Sequence, residues 1–325
     1  MPAPCRARRG GASVRIAAGS TYARHMRHRG GDLRPALRPP ALMPHANIAC
    51  FSRSLSGEVA DMFRGGLIDL GYTVSIQMFT IDPAVINIVM PAVLFPMDAL
   101  DRVPPGTIFY NTEDLEYQPA AAQQAIIEIV RRGFTVWDYG RKNLAWFATN
   151  GYPDRVRHVP FGYSRTIDRV VCRLWEERTI DVLFYGKLTQ RRVDVIGELM
   201  RTSLTVGVFS NVFGALRDDL MSRSKIVLNV PAVPSFIAEC PRVTFCASNR
   251  KLCVSERPSY PLAPAWEKAI TFVPYREIVQ TCQLLAADRE AVLAREAESH
   301  AAMQTLPISA GLADALSATS TPPIS

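Results

Sequence analysis

The 325-residue sequence lacks the short motifs that mark several common enzyme classes. It has no P-loop, no nucleophile elbow of the α/β-hydrolase type, and no histidine or cysteine spacing typical of a metal site. It also has no run approaching the roughly 20 apolar residues that a membrane-spanning helix needs. These absences argue against P-loop ATPases, hydrolases of that type, zinc proteins and integral membrane proteins.

Paired cysteines are also lacking, because the chain has an odd number of cysteines and no Cys-x-x-Cys motif. Most of the cysteines lie in apolar segments, where they are expected to be reduced core thiols. We therefore expect a soluble, cytoplasmic protein without disulfides. The seven residues are Cys5, Cys50, Cys172, Cys240, Cys246, Cys253 and Cys282.

The net charge of +7 suggests a nucleic-acid partner, but its distribution argues against one. Residues 1–43 contain nine arginines, no lysine and a single acidic residue, Asp32, and therefore carry +8. Subtracting +8 from +7 leaves −1 for the remaining residues. The part of the chain that can fold is thus close to neutral, and we expect no nucleic-acid partner.

The basic segment 1–43 is rich in glycine, proline and arginine and has few large apolar residues, so we expect it to be disordered. It has no continuous apolar stretch of the kind found in secretory signals. Alternatively, the natural chain begins at Met43, directly before the first predicted strand.

The rest of the chain alternates between apolar strand patterns and amphipathic helix patterns, as in parallel α/β folds. We predict an N-terminal Rossmann-like domain at 44–165, a linker at 166–178, a C-terminal Rossmann-like domain at 179–305 and a flexible tail at 306–325. Two such domains place a cleft between them, and a cleft of this kind is the usual ligand site. The predicted fold class is α/β, with two parallel sheets facing across the cleft.

One loop in the second domain combines a strand end, a glycine and several cations. The apolar strand 180–185 ends at Gly186, and Lys187, Arg191 and Arg192 precede or begin the next helix pattern. Loops at the carboxyl ends of parallel strands bind ligands, and helix N-termini attract anions. The loop therefore predicts a phosphate or diphosphate site, although a solvated basic loop would have the same sequence.

Several segments together resemble a family of bacterial glycosyltransferase-like proteins. The second half is similar to the C-terminal domain of group 1 glycosyltransferases, especially the spore-maturation type. The resemblance covers roughly residues 47–305. The segments that carry it are 107–113, 136–139 with Asn143, 158–163, 181–186, 224–229, Glu239 with Arg242, 249–256, and 272–275 followed by 278–279.

This resemblance implies a GT-B fold whose second domain holds most of a nucleotide-diphosphate sugar, usually without a bound metal or other cofactor. Gly186 and Lys187 match the glycine and cation of the family's diphosphate loop, and Arg191 or Arg192 matches the cation a few positions later. The chemistry is consistent with this, since fixed cations can stabilise the charge that develops on a departing diphosphate.

The sequence departs from the spore-maturation type at one position. Those relatives carry a glutamate three residues after the arginine that corresponds to Arg242, and this chain has Phe245 there. We expect Glu239 to bind the ribose or sugar hydroxyls instead, although a salt bridge with Arg242 is an alternative. Glu256 is the other candidate, and a helix N-cap is its alternative role.

Two acidic residues of the first domain follow predicted strands and are candidate catalytic bases. Glu113 comes after the fourth strand and Asp138 after the fifth, so both are expected near the cleft. Acidic residues at such positions are also common helix caps. We expect Glu113 to accept the proton of the acceptor hydroxyl.

Taken together, the sequence predicts a cytoplasmic, metal-independent glycosyltransferase that moves a sugar from a nucleotide-diphosphate donor to a polysaccharide or other glycan. Two alternatives remain open. One is a catalytically silent protein that binds a nucleotide sugar or glycan, or acts as a scaffold. The other is a sugar-nucleotide epimerase, because that activity also occurs on paired Rossmann-like domains.

Overall fold

The computed structural model describes residues 43–52, 57–234, 237–238 and 240–319. The segment 1–42, for which we predict disorder, lies outside the described residues. None of the described helices is both long enough and apolar enough to cross a membrane. The six cysteines in the described part are unpaired.

The first half of the described chain forms a six-stranded parallel sheet with helices on its faces. The strand order is β2-β1-β3-β4-β5-β6. Its elements are β1 (His45–Cys50), α1 (Glu58–Asp69), β2 (Thr73–Met78), β3 (Ile86–Met90), β4 (Ile108–Asn111), α2 (Ala120–Arg131), β5 (Thr135–Asp138), α3 (Arg141–Thr149) and β6 (Val156–His158).

The second half forms a five-stranded parallel sheet in the order β11-β10-β9-β7-β8. Its elements are β7 (Ile180–Tyr185), α4 (Gln190–Leu199), β8 (Val206–Phe209), α5 (Gly214–Ser222), β9 (Ser224–Asn229), α6 (Pro241–Ser248), β10 (Leu252–Glu256), α7 (Pro264–Ala269), β11 (Thr271–Val273), α8 (Ile278–Ala287), α9 (Arg289–Gln304) and α10 (Ile308–Thr319).

The central strands are buried on both faces, as expected for parallel sheets covered by helices. Val182, Leu183 and Phe184 of β7 are completely buried. Leu183 packs into a core shared with α1 and α6, whereas Val182 and Phe184 pack with α4 and α8 on the opposite face. This arrangement confirms the predicted fold class of two Rossmann-like parallel sheets.

The chain beyond residue 306, predicted as a flexible tail, instead forms the helix α10 as far as Thr319. Ile308 and Leu312 are buried, and both pack against Gly66 on α1 of the first half. A side chain at Gly66 would clash with both residues, so the close contact requires the glycine. The tail prediction was therefore wrong for 308–319, because the serine- and alanine-rich composition concealed an apolar face.

Two chain segments connect the halves and run side by side. The amide of Tyr163 donates to the carbonyl of Leu306 at 2.7 Å, and the amide of Ile308 donates to the carbonyl of Tyr163 at 3.0 Å. Tyr163 precedes the predicted linker, and Leu306 precedes α10. The segment that leaves the first half at Tyr163 is thus hydrogen-bonded to the segment that returns to it at 306–308.

A buried charge cluster ties the linker to the second half. Arg178 donates two hydrogen bonds, at 2.8 and 3.0 Å, to the carboxylate of Glu296 on α9. Lys251, which is completely buried, lies 3.3 Å from the same carboxylate and donates to the carbonyl of Ser224. Because buried charges are tolerated only when paired, these contacts fix the linker against the second sheet.

Candidate functional site

A cavity of about 800 Å³ is lined by residues that follow strands of both sheets. In parallel sheets this is the edge where side chains from different loops converge on a ligand. The lining residues used below are Glu58, Glu113, Asp114, Tyr117 and Gln118 from the first half, and Tyr185, Gly186, Lys187, Arg192, Phe213, Arg217, Asn229 and Arg242 from the second.

Three helices of the second half begin near this cavity. Helices α4, α5 and α6 follow β7, β8 and β9, and residues just before or within each helix start line the cavity. Thr189, the N-cap residue of α4, makes no side-chain capping bond, and its buried hydroxyl has no hydrogen-bond partner among the described residues. Free backbone amides at helix starts favour an anion.

Arg242, the second residue of α6, is held against the strand end that precedes Gly186. Its Nη1 donates to Oδ1 of Asn229 at 2.8 Å, and its Nη2 donates to the carbonyl of Tyr185 at 2.8 Å. Gly186 has a φ of +134°, and a Cβ there would lie 2.6 Å from Nη2 of Arg242. Glycine therefore permits both the backbone conformation and the close approach of the guanidinium.

Arg192, on the first turn of α4, is oriented by two backbone carbonyls. Its Nε donates to the carbonyl of Val230 at 2.7 Å, and its Nη1 donates to the carbonyl of Lys187 at 2.6 Å. Burial, and secondarily the charge of Arg242, lowers the pKa of Arg192 to about 10. The guanidinium groups of Arg192 and Arg242 therefore lie close enough to repel each other. An anion bound between them would reduce this repulsion.

Lys187 completes a group that we call the cationic wall, defined as Lys187, Arg192 and Arg242. Lys187 is exposed at the cavity surface. Within the described ranges, no carboxylate lies within salt-bridge distance of any of the three side chains. Unneutralised cations beside helix N-termini are suited to bind a phosphate or diphosphate.

Arg191 does not belong to the cationic wall, although the sequence suggested it as a diphosphate ligand. It pairs with Glu256, and its guanidinium lies 4.3 Å from the ring centroid of Tyr275. Neither Arg191 nor Glu256 is among the described residues that line the cavity. The geometry therefore corrects both assignments, since the two charges neutralise each other outside the cavity.

Glu239, predicted to bind ribose or sugar hydroxyls, lies outside the described residues. Its neighbour Cys240 lines the cavity and precedes α6. The role of Glu239 stays a prediction.

Glu113 lines the same cavity from the first half, in the loop after β4. Burial raises its pKa, and the nearby charge of Asp114 acts in the same direction. A carboxylate whose pKa is raised toward neutrality is a better proton acceptor for a hydroxyl. The neighbouring Asp114 is instead paired with Lys142 at 2.9 Å.

Asp138, the other predicted catalytic acid, is completely buried and does not line the cavity among the described residues. Its carboxylate accepts hydrogen bonds from Asn111 at 2.7 Å, from the Gly140 amide at 2.8 Å and from Asn143 at 3.0 Å. Burial raises its pKa to about 7 despite these donors. Without access to the cavity it cannot contact an acceptor, so direct catalysis by Asp138 is a misassignment.

The hydrogen-bond partners of Asp138 also contact the loop that carries Glu113. Asn111 and Asn143, both bonded to Asp138, each donate to the backbone carbonyl of Glu113 at 2.8 Å. Oδ1 of Asn143 also accepts from the amide of Leu115 at 3.0 Å. We define Asn111, Asp138 and Asn143 as the asparagine–aspartate cluster, which fixes the position of Glu113.

Sequence reasoning missed one charged pair of the cavity. Arg217 of α5 is almost completely buried and forms a salt bridge with Glu58, at the start of α1 in the other half. Its guanidinium also lies 4.0 Å from the ring centroid of Phe245. Neither residue belongs to a recognisable motif, so only the juxtaposition of the halves reveals the pair.

The two parallel sheets, with a cavity lined by residues that follow their strands, form a GT-B-like fold. No protein-family model matches the sequence, and no curated protein matches it significantly. Structural similarity to solved proteins supports the fold class.

Among these structures, an alpha-glucosyltransferase in complex with UDP and DNA has a TM-score of 0.56 and 10% identity, covering 85% of this chain and 100% of that one. T4 phage BGT in complex with its UDP-glucose substrate has a TM-score of 0.52 and 10% identity. The match covers 84% of this chain and 98% of that one. TarM has a TM-score of 0.53 and 8% identity, covering 74% of this chain. This chain therefore covers only about half, 55%, of the length of TarM.

Proposed function

We propose that this protein is a glycosyltransferase that moves a sugar from a nucleotide-diphosphate sugar to a hydroxyl group of a glycan or polysaccharide. The observation that carries the proposal is the cationic wall, which shares one cavity with the partly buried side chain of Glu113. An anion-binding wall and a candidate base are the two parts that this reaction needs.

In the proposed reaction, the acceptor oxygen forms a bond with the anomeric carbon of the donor sugar. The bond between that carbon and the diphosphate oxygen breaks, and the electron pair leaves with the diphosphate. Lys187, Arg192 and Arg242 stabilise the negative charge that develops there. Glu113 accepts the proton from the acceptor hydroxyl.

Two further features of the proposal come from the sequence motifs and from the charge of the site. We place the chain nearest the group 1, spore-maturation type of transferase, because of the motifs at 224–229 and around Arg242. We also propose that no metal ion is required, because the cationic wall supplies fixed positive charge. UDP sugars are the first donors to test, since two of the structural neighbours are described with UDP or UDP-glucose.

The proposal is tested first by a thermal-shift screen of UDP, GDP and dTDP sugars with the full chain. A donor that binds the native state raises the apparent melting temperature. The selected donor, labelled in its sugar, is then incubated with the protein and a panel of glycans. Transfer of label to a glycan, with release of the nucleoside diphosphate, is the expected result.

The same experiment separates the alternatives. Binding without hydrolysis or transfer would indicate a catalytically silent binding protein, and conversion of the donor into a second nucleotide sugar would indicate an epimerase. A matched variant, Glu113→Gln, should keep donor binding and lose transfer, because the amide cannot accept the proton. Failure of every nucleotide sugar to bind would refute the proposed function.

A further inference from the structure

The two walls of the cavity differ in charge, and this difference bears on the acceptor. The cationic wall belongs entirely to the second half. The described residues that line the cavity from the first half include three acids, Glu58, Glu113 and Asp114, and no lysine or arginine. Lys142, which lies beside this lining, is paired with Asp114 and Glu116, so an acceptor that approaches along the first half meets no unneutralised cation among these residues.

Two of the three acids are neutralised by ion pairs. Glu58 pairs with Arg217, and Asp114 pairs with Lys142. Glu113 has no ion-pair partner among the described residues. It therefore contributes an unpaired negative charge to this wall. On this wall a phosphate or carboxylate of the acceptor would find no unneutralised cation, because Asp114 and Glu116 both pair with Lys142, and it would be repelled by Glu113.

The same wall presents an aromatic ring. Tyr117 is 42% exposed, and the Nζ atom of Lys142 lies 4.6 Å from its ring centroid. The turn that carries Tyr117 is anchored by Leu115, which is completely buried. The ring is thus fixed in position and still offers surface to a ligand.

Two further lining groups suit a sugar ring. Gln118, beside Tyr117, makes no side-chain hydrogen bond in the described part of the chain, so its amide can donate to and accept from hydroxyl groups. Phe213 lines the same cavity from the second half and is 49% exposed. Sugars have apolar C–H faces and polar edges, and a few polar groups beside aromatic rings match both.

We propose that the acceptor is an uncharged carbohydrate that docks on Tyr117 and Gln118, and that polyanions such as DNA or phosphate polymers are not acceptors. This inference rests on the proposed function, since it names the acceptor class of the same cavity. It also agrees with the near-neutral charge of residues 44–325.

The test uses the full chain, the donor selected by the thermal-shift screen and measurement of nucleoside diphosphate release. Probes are neutral maltotriose, cellotriose and chitotriose, with a heparin oligosaccharide, polyphosphate and double-stranded DNA as anionic counterparts. At least one neutral probe should accelerate release about tenfold over donor hydrolysis in water. The anionic probes should give no glycosylated product.

Variants at Tyr117 make the test specific to the proposed docking surface. Tyr117→Ala should raise the KM of the neutral acceptor about tenfold. Tyr117→Phe keeps the ring and should retain the wild-type KM. A matched control, Tyr152→Ala, removes an aromatic residue that does not line the cavity and should leave the KM unchanged.

Three outcomes would overturn the inference while the proposed function stands: sugar transfer to an anionic probe, donor hydrolysis that no neutral probe accelerates, or an unchanged acceptor KM in Tyr117→Ala. If the wild-type protein neither binds nor hydrolyses any nucleotide sugar, the proposed function itself would be refuted. The two failures are therefore distinguishable.

Discussion

Replacing Gly186 with alanine should weaken both the fold and donor binding, because this glycine permits the packing behind the cationic wall. At its φ of +134° an alanine is strained, and the new Cβ would lie 2.6 Å from Nη2 of Arg242. Arg242 must then shift, and its 2.8 Å hydrogen bond to the carbonyl of Tyr185 is lost or lengthened.

The magnitude follows from these two effects. Backbone strain of this kind costs about 1–3 kcal/mol, and loss of a hydrogen bond from a charged donor costs about 1.5–3 kcal/mol. Relaxation of the arginine side chain will recover part of the cost. We therefore expect Gly186→Ala to lower the free energy of unfolding by about 2–5 kcal/mol, and to weaken nucleoside diphosphate binding about tenfold or more.

Urea denaturation would measure the stability change, and isothermal titration with UDP would measure binding. Gly197→Ala is a matched control, since Gly197 lies within α4 and a Cβ there meets no atom within 4 Å. It should be neutral or stabilise the protein by up to about 1 kcal/mol. Equal stability and equal binding in Gly186→Ala and the wild type would refute the reasoning.

Three other predictions follow from the buried charges and the cationic wall. Because the pKa of Asp138 is raised to about 7 in the folded state, its own contribution to stability is largest below the ordinary carboxyl pKa of about 4 and is lost as pH rises toward 7. Chemical denaturation of the wild type and of Asp138→Asn at pH 5 and pH 7 should therefore show a smaller decrease in stability between the two pH values in the variant. Glu296→Gln leaves Arg178 and Lys251 buried without a counterion, so urea denaturation should show a loss of about 3–5 kcal/mol, whereas a change below 1 kcal/mol would contradict the assignment. Sugar transfer should continue unchanged in EDTA, and its abolition, restored by Mg²⁺ or Mn²⁺, would contradict metal independence.

Much of the fold was predictable because parallel strands leave a strong sequence signal. The strand predicted at 180–185 matches β7, since a continuous apolar run ends at a glycine. Helix α10 was missed because serines and alanines make up half of its segment. In α10 the decisive contact is with Gly66, more than 200 residues earlier in the chain, and no local pattern reveals it.

The candidate site was predicted in part, through its loop. The structure brings Gly186, Lys187, Arg192 and Arg242 together as the sequence suggested, although their binding role stays a prediction. Arg191 differs because consecutive helical residues point about 100° apart, and from its position Arg191 pairs with Glu256 and contacts Tyr275, whereas Arg192 bonds to carbonyls at the cavity. The sequence identifies cations near a strand end, but the helix orientation decides which of them reaches the ligand.

Residues that depend on the meeting of the two halves could not be found from sequence. The Arg217–Glu58 pair joins α5 to α1, and neither partner has a motif around it. The supporting role of Asp138 is similar, since it acts through side chains on β4 and α3 that converge on the Glu113 loop. Such partners are set by tertiary packing rather than by local spacing.

The most direct test of the central claim is isothermal titration of UDP, or of the diphosphate of whichever donor the screen selects, into Lys187→Ala and Arg191→Ala. Both variants remove one positive charge from the same segment, but Lys187 lines the cavity and Arg191 pairs with Glu256 outside it. The account predicts that Lys187→Ala weakens binding about tenfold and that Arg191→Ala changes it less than about twofold. Unchanged binding in Lys187→Ala, or a larger loss in Arg191→Ala, would contradict a diphosphate site at the cationic wall.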